Sequence, residues 1–273
     1  MTRLPQARTT DGAAALAELL AEPARSVVAV DFDGTIAPIV ERPDDARPAP
    51  GAIEALAALC DRVGACAVVT GRAAAEAVRL GGLDRVRRLQ VLGHYGLQRY
   101  LDGELSSPDP VPEVDVARQR LRQLLTGAAP GVHLEDKEHS LVVHTRPAAD
   151  PAAALDELTG PVREIADELG LETVPGRYVV ELRPPGIDKG LAVRTLVEEH
   201  DAHAVVYVGD DLGDLPAFAA VEQLRTEGRC GLTVASVGDD APAALGERAD
   251  VVVNGPEGVV AFLGALASAI GQP

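Results

Sequence analysis

Residues 26–35 read SVVAVDFDGT, a valine-rich run that passes directly into two aspartates, a glycine and a threonine. A short, continuous apolar run of this kind is typical of a buried strand in a parallel sheet. Ligands of open α/β sheets bind beyond the carboxyl ends of the strands. Two aspartates at such an end, followed by a glycine suited to a tight turn, therefore predict a local acidic site.

The same pattern recurs on both sides of a central stretch of different character. Further buried strands are predicted at residues 65–69, 89–92, 204–208, 232–237 and 250–253. Helical periodicity is found at residues 11–22, 51–60, 73–80, 188–200, 215–224 and 257–270. Strands that alternate with helices predict an α/β fold, a doubly wound parallel sheet of the Rossmann-like kind.

The central stretch begins at the prolines of residues 108–112 and ends at Pro184-Pro185. Its periodicity predicts a helix at 114–125, a hairpin of 132–137 with 140–146, a helix at 152–169 and a hairpin of 171–174 with 178–182 around Pro175-Gly176. Helix, hairpin, helix, hairpin is an α+β arrangement. We therefore predict that residues 105–183 form a domain inserted into a core made of residues 1–104 and 184–273.

A second acidic segment, GDDLGD at residues 209–214, follows the strand predicted at 204–208. Each acidic segment alone could be a helix cap or a turn, but five carboxylates at one sheet edge repel one another unless a cation is bound. Oxygen donors without histidine or cysteine favour Mg²⁺ over zinc. We predict that Asp31, Asp33 and Asp210 bind this ion, with Asp211 and Asp214 as further ligands or as supports around it.

Two more signals in the sequence complete a phosphate site. Thr70 and Gly71 follow the strand predicted at 65–69, where a hydroxyl and backbone N–H groups suit phosphate oxygens. Lys189 opens the helix after the insert and is one of only two lysines among 25 basic residues, the other being Lys137. The set predicts phosphoryl transfer, with Asp31 as the nucleophile and Asp33 as the general acid and base.

These segments, in this order, resemble the four motifs of the haloacid-dehalogenase-like phosphatases: residues 31–35, Thr70, Lys189 and residues 209–214. The resemblance implies a phosphomonoester hydrolase that uses Mg²⁺ and an aspartyl-phosphate intermediate. It also implies that the insert is a cap domain of the α/β type found in sugar phosphatases of that superfamily.

Within the superfamily, three segments resemble the trehalose-6-phosphate phosphatase family. They are DGTIAPI at residues 33–39 with Pro43 and Ala46 downstream, EDK at residues 135–137 with His144 and Arg146, and GRYVVELRP at residues 176–184. The resemblance implies that Glu135, Lys137, Glu181 and Arg183 contact sugar hydroxyls. One segment departs from the family, because residues 93–96 read GHYG where many members have Gly-x-His-Gly.

Composition excludes several classes of partner. The chain carries 25 Lys and Arg against 42 Asp and Glu, a formal net charge of −17. Phosphate backbones and anionic lipids would repel it, so we expect neither nucleic acid nor a membrane as partner. The start lacks the apolar segment of a signal peptide, and three cysteines show no metal-ligand spacing. We expect a cytoplasmic monomer whose partner is a small sugar phosphate.

Three alternatives stay open at this point. The substrate could be another sugar phosphate, such as sucrose phosphate or a glucosyl- or mannosyl-glycerate phosphate. A phosphomutase shares core and cap but returns the phosphate to the sugar. A non-catalytic regulatory module would keep the fold alone, although the intact Asp31, Asp33, Lys189 and Asp210 argue against it.

Overall fold

The computed structural model describes residues 4–238 and 242–270, which form two compact units. One unit comprises residues 4–107 and 188–270, and the other comprises Pro108–Ile187. The second unit is thus an insertion into the first. Its limits lie a few residues after those placed at 105 and 183 from the sequence.

The strands and helices follow the chain in this order. The strands are β1 (Ser26–Val30), β2 (Ala65–Val69), β3 (Leu89–Gly93), β4 (Gln98–Leu101), β5 (Glu104–Ser106), β6 (His133–Asp136), β7 (Leu141–His144), β8 (Glu172–Gly176), β9 (Val179–Arg183), β10 (Ala204–Gly209), β11 (Cys230–Val237) and β12 (Val251–Asn254). The helices are α1 (Thr10–Ala21), α2 (Ala52–Cys60), α3 (Ala74–Gly81), α4 (Pro112–Leu124), α5 (Pro151–Leu169), α6 (Lys189–Glu199), α7 (Leu215–Thr226), α8 (Ala243–Arg248) and α9 (Gly255–Ile270). None of these helices is long and apolar enough to cross a membrane.

The sheet of the first unit has the strand order β12-β11-β10-β1-β2-β3-β4-β5. From β12 to β3 every neighbouring pair is parallel, which confirms the predicted α/β class. The central strands β1 and β10 pair in register, with Val30 opposite Val208. The two acidic segments that follow these strands therefore leave the same edge of the sheet side by side.

Helices cover both faces of this sheet, as a doubly wound fold requires. Along β1, Val28 and Val30 join the core formed with α1, α2, α3 and α9, whereas Val27 and Ala29 join the core formed with α6 and α7. This alternation is the two-residue period of a strand that is buried on both faces. The apolar runs seen in the sequence follow from it.

An antiparallel hairpin, β4–β5, extends the sheet at one edge and was not predicted. Its strands are short and polar, so they lack the apolar runs of the parallel strands. The sequence of its turn, Asp102-Gly103, is nevertheless a hairpin signal, and both residues have positive φ in the structure. An Asp-Gly pair of this kind is the favoured two-residue hairpin turn.

The second unit is an antiparallel sheet in the order β6-β7-β9-β8, with α4 and α5 packed on one face. The predicted helices and hairpins are present, but the position of the second turn was wrong. Pro175 and Gly176 pair with Val180 and Val179 inside the hairpin, and the turn lies at Arg177-Tyr178. Pro175 is tolerated because β8 is an edge strand, where a missing N–H need not break a ladder.

Asp250, just before β12, is buried and connects several elements of the first unit. Its carboxylate accepts hydrogen bonds from Thr9 and Arg225, and from the backbone N–H (2.8 Å) and the hydroxyl (2.9 Å) of Thr233. We expect Asp250→Ala to lower the free energy of unfolding by about 3 kcal/mol, because it leaves buried donors without an acceptor.

Urea denaturation measures this change, with Asp44→Ala as the control. Asp44 also pairs with an arginine, but its side chain is 74% exposed, so its loss should cost less than about 1 kcal/mol. Equal shifts of the two midpoints would contradict the structural role given to Asp250.

Candidate active site

The first acidic segment turns sharply at the end of β1. The backbone N–H of Asp31 donates to the carbonyl of Val208 (2.9 Å), which keeps the segment aligned with β10. Gly34 has a φ of +76°, and a Cβ at this position would lie 2.0 Å from Oδ2 of Asp210. The residue must therefore be glycine for the two acidic segments to approach each other.

The second acidic segment is organised around Asp214, which is fully buried. Its Oδ1 accepts from Lys189 Nζ (2.7 Å) and the Tyr207 hydroxyl (2.6 Å), and its Oδ2 accepts from the backbone N–H groups of Asp210 (2.8 Å) and Asp211 (3.1 Å). Asp211 lies at the exposed start of the following turn and accepts from Gly213 N–H (2.8 Å). Asp214 is thus a support for the segment, and Asp211 a cap for its turn.

Lys189 joins the two segments. It is the first residue of α6, and its ammonium lies 2.9 Å from Oδ1 of Asp31 and 2.7 Å from Oδ1 of Asp214. All three side chains are buried. Lys189 therefore lies among the acidic residues at the sheet edge, and its predicted contact with phosphate stays a prediction.

Carboxylate oxygens of Asp31, Asp210 and Asp214 all lie within 4.8 Å of one another. Burial raises the pKa of Asp31 well above its ordinary value, even against the attraction of Lys189. Burial and the charges of Asp214 and Asp211 raise the pKa of Asp210 to about 7. The pKa of Asp214 is lowered, because its attraction to Lys189 and the hydrogen bonds it accepts outweigh its burial.

This cluster fits a divalent cation. Three carboxylates face one ammonium, so two negative charges stay uncompensated when all are ionised. The donors are oxygens alone, the set that Mg²⁺ prefers. Asp31 and Asp210 are the residues that would hold the ion, since both oxygens of Asp214 already accept two hydrogen bonds each.

Asp33 lies apart from this cluster. Among the described residues, its carboxylate is not one of those within 4.8 Å of the others at this edge. It instead pairs with Arg72, accepting from Nε at 2.6 Å and from Nη2 at 2.8 Å. These hydrogen bonds raise the pKa of Arg72 further above its ordinary value. Whether Asp33 also binds the metal stays a prediction.

The predicted phosphate loop, Thr70-Gly71, lies at the end of β2 and is held by residues 94–95. The backbone N–H groups of His94 and Tyr95 donate to the carbonyls of Arg72 (2.9 Å) and Thr70 (3.0 Å). Both His94 and Tyr95 have positive φ, a costly conformation for residues other than glycine. The ring of Tyr95 fills the space that a side chain at Gly71 would need.

Glu135, Glu181 and Arg183 lie on the face of the second unit's sheet opposite its helices, and Lys137 directly follows β6. Glu181 is buried and accepts from Ser140 (2.6 Å), and Lys137 Nζ lies 3.9 Å from its Oε1. Glu135 pairs with His144 at 2.7 Å, which lowers the pKa of Glu135.

Arg183 pairs with Glu172 at 2.7 Å across the second hairpin. It shares this face because Arg183 and Glu181 stand two residues apart in β9. The structure thus brings together Lys137 and Glu181, with Glu135 paired separately to His144.

Arg72 is the residue that sequence reasoning missed. It directly follows Thr70-Gly71, and a lone arginine at a strand end in an arginine-rich chain gave no separate signal. Its partner stands 39 residues earlier. Only the neighbouring positions of β1 and β2 in the sheet bring the two together.

Comparisons with known proteins show which family this chain resembles. A family model described as trehalose-phosphatase matches residues 29–246. The trehalose-phosphate phosphatase of Mycobacterium marinum is 33% identical over an alignment that covers 89% of this chain and 62% of the relative. That of Mycolicibacterium paratuberculosis is 36% identical, with 81% and 57% covered. The chain spans about 60% of the length of these curated relatives.

Solved structures show the same fold. The C-terminal domain of the C. albicans trehalose-6-phosphate phosphatase aligns with a TM-score of 0.77 at 21% identity, covering 97% of this chain and 99% of that one. The Aspergillus fumigatus trehalose-6-phosphate phosphatase aligns with a TM-score of 0.69 at 20% identity, covering 97% and 99%. At these identities the match supports the fold alone.

The raised pKa of Asp210 predicts how cation binding depends on pH. Without a cation, the folded chain binds a proton between about pH 4 and 7 that the unfolded chain has released, so the free energy of unfolding falls as the pH rises through that window. Mg²⁺ must displace this proton at pH 6 but not at pH 8. Calorimetry should therefore show that Mg²⁺ raises the melting temperature more at pH 8.

Asp210→Asn should remove most of this Mg²⁺ effect at both pH values. Asp61→Asn, at the exposed end of α2, is the matched control and should leave the effect unchanged. An equal rise at pH 6 and pH 8, or a full rise in Asp210→Asn, would reject the cation site.

Proposed function

This chain belongs to the trehalose-phosphatase family, and from this premise we propose that it is a Mg²⁺-dependent phosphatase that hydrolyses trehalose 6-phosphate to trehalose and phosphate. The observation that carries the proposal is the buried cluster of Asp31, Asp210 and Asp214 around Lys189 at the ends of β1 and β10. A nucleophilic carboxylate, a fixed ammonium and a cation site meet there within one sheet edge.

The residues divide the reaction between them. An oxygen of Asp31 attacks phosphorus, the bond from phosphorus to the sugar oxygen breaks, and Asp33 gives its proton to that oxygen. In the second half, Asp33 takes a proton from water, whose oxygen attacks phosphorus and releases Asp31 and inorganic phosphate. Thr70 and the N–H groups after it hold phosphate oxygens. A bound Mg²⁺ neutralises the carboxylates and the phosphate.

Lys189 opposes protonation of the proposed nucleophile in this buried place. Burial raises the pKa of Asp31 well above its ordinary value even against the attraction of Lys189, and a protonated Asp31 could not attack phosphorus, so a bound cation would also be needed to keep this carboxylate ionised. The ammonium at 2.9 Å stabilises the carboxylate form and leaves the second oxygen of Asp31 for the substrate.

Selection of the sugar is assigned to the second unit. The residues assigned to the phosphate chemistry contact only the phosphate group and the cation. Every sugar phosphate carries the same phosphate group, so these residues cannot distinguish one sugar from another. Charged side chains form strong, directed hydrogen bonds to hydroxyl groups. Glu135, Lys137, Glu181 and Arg183 are our candidates. Glu135, Glu181 and Arg183 stand on strands of this sheet, and Lys137, directly after β6, lies 3.9 Å from Glu181.

The reaction predicts a strict dependence on Asp31. Asp31→Asn should lose turnover completely, because an amide cannot attack phosphorus, and excess chelator should abolish wild-type activity until Mg²⁺ is restored. Release of inorganic phosphate from trehalose 6-phosphate, sucrose 6-phosphate and glucose 6-phosphate measures this. Asp61→Asn is the control and should retain wild-type rates.

Two results would change the assignment. Near wild-type turnover in Asp31→Asn, or in excess chelator, would reject the mechanism. Preferred release from sucrose 6-phosphate would keep the mechanism and favour the alternative sugar substrate.

Lys137→Ala tests the sugar contacts. Loss of one charged hydrogen-bond partner costs about 1.5–3 kcal/mol, so kcat/KM for trehalose 6-phosphate should fall about ten- to a hundredfold. With 4-nitrophenyl phosphate, which offers no sugar hydroxyls, the effect should be much smaller. Arg120→Ala is the control, since Arg120 lies on α4 of the same unit and pairs with Glu168. Equal effects of Lys137→Ala on both substrates would show that Lys137 does not read the sugar.

A further inference from the structure

The two aspartates of the first acidic segment have different cationic partners. Asp31 is buried and bound by Lys189, whereas Asp33 is partly exposed and bound by Arg72. Asp33 accepts from Nε and Nη2 of the same guanidinium, so both of its oxygens are engaged in a two-bond pair. Such a pair fixes the orientation of a carboxylate as well as its position.

The guanidinium of Arg72 is itself held from several sides. It donates to Glu76 (2.8 Å), one turn along α3, and to the carbonyl of Pro43 (3.1 Å). It also lies over the ring of Phe32, 5.8 Å from the centroid. The side chain is only 13% exposed. Arg72 therefore provides a fixed point from which Asp33 is oriented.

Asp33 needs such a restraint because of what lies beside it. It stands two residues from Asp31, in a segment whose neighbouring carboxylates form a buried group that fits a cation. An unrestrained aspartate there could turn toward the cation as a further ligand. Proton transfer to a leaving oxygen requires the carboxyl group within hydrogen-bond reach of that oxygen, about 2.6–3.2 Å.

We propose that Arg72 is a positioning residue, which holds the Asp33 carboxyl group apart from the buried cluster and aims it at the leaving oxygen of the substrate. This inference rests on the proposed phosphatase function. Arg72 acts through Asp33 and makes no contact of its own with the phosphate. Glu76 supports this role, because it anchors the guanidinium on the side of α3.

The leaving group of the substrate tests the proposal. A sugar alkoxide leaves only with a proton, whereas 4-nitrophenolate leaves without one. Arg72→Ala should therefore lower kcat/KM for trehalose 6-phosphate about 10- to 100-fold. This loss is part of the rate acceleration of roughly 10²–10⁴-fold that general acid–base catalysis supplies. With 4-nitrophenyl phosphate the loss should stay below about threefold. The inhibition constant of inorganic phosphate should not change.

A double variant separates positioning from direct contact. In an Asp33→Asn background, Arg72→Ala should cost nothing further with trehalose 6-phosphate, because the residue it acts through is already gone. Arg79→Ala is the matched control: this arginine lies on α3, the helix that follows Arg72, pairs with Asp44 at the surface, and is 61% exposed. It should leave both substrates unaffected.

Several outcomes would overturn the inference. They are equal losses on both substrates, additive losses in the double variant, and weaker inhibition by phosphate in Arg72→Ala. Circular dichroism reports whether Arg72→Ala folds. If it does not, Arg72→Lys decides by the same comparison, since lysine keeps the charge and loses the two-bond geometry.

The proposed function can fail separately. A wild-type chain that releases phosphate from another sugar phosphate, but not from trehalose 6-phosphate, would change the sugar, and the Arg72 comparison would be made with that ester. A wild-type chain that releases phosphate from no ester would overturn both. Wild-type turnover with no dependence of Arg72→Ala on the leaving group would overturn this inference alone.

Discussion

The ion pairs of Lys189 with Asp31 and Asp214 are the interaction on which the rest of the site depends. They connect the end of β1, the segment after β10 and the first turn of α6, all of them buried. A buried carboxylate without a partner is costly, and several together are costlier. Lysine suits the position because a compact ammonium with three donors fits between two carboxylates. The guanidinium of arginine is planar and holds its donors in a rigid fork, which suits a single carboxylate better.

This constraint explains why two glycines stand where they do. Gly34 allows the first acidic segment to lie against Asp210, and a Cβ at Gly209 would lie 2.3 Å from Cγ of Asp214. A side chain at Gly34 would push the two segments apart, and one at Gly209 would displace Asp214 within its own segment. The carboxylates could then no longer share one ammonium or one cation. The acidic cluster thus depends on residues that carry no charge.

The sequence predicts this candidate site because apolar runs mark buried strands, and ligands bind at strand ends. It placed Asp31, Lys189 and residues 209–214 at one edge without knowing any distance. It could not assign partners, since the pairing of Asp33 with Arg72 depends on how two loops turn after their strands. It also misplaced the turn at Pro175-Gly176, because proline and glycine favour a turn locally while an edge strand tolerates both.

The hydrogen bonds and the burial of each acidic residue determine which role it can take in the site. Asp214 is fully buried, and both of its oxygens accept two hydrogen bonds, so it has little capacity left for a ligand or for chemistry. Asp31 and Asp210 are nearly as buried but have raised pKa values, the sign of carboxylates whose charge the protein leaves partly uncompensated. Asp33 is partly exposed and held by an arginine. The support, the two proposed cation ligands (one of them the proposed nucleophile) and the proposed proton carrier are all aspartates. They differ in their neighbours, and these neighbours separate the roles we propose for them.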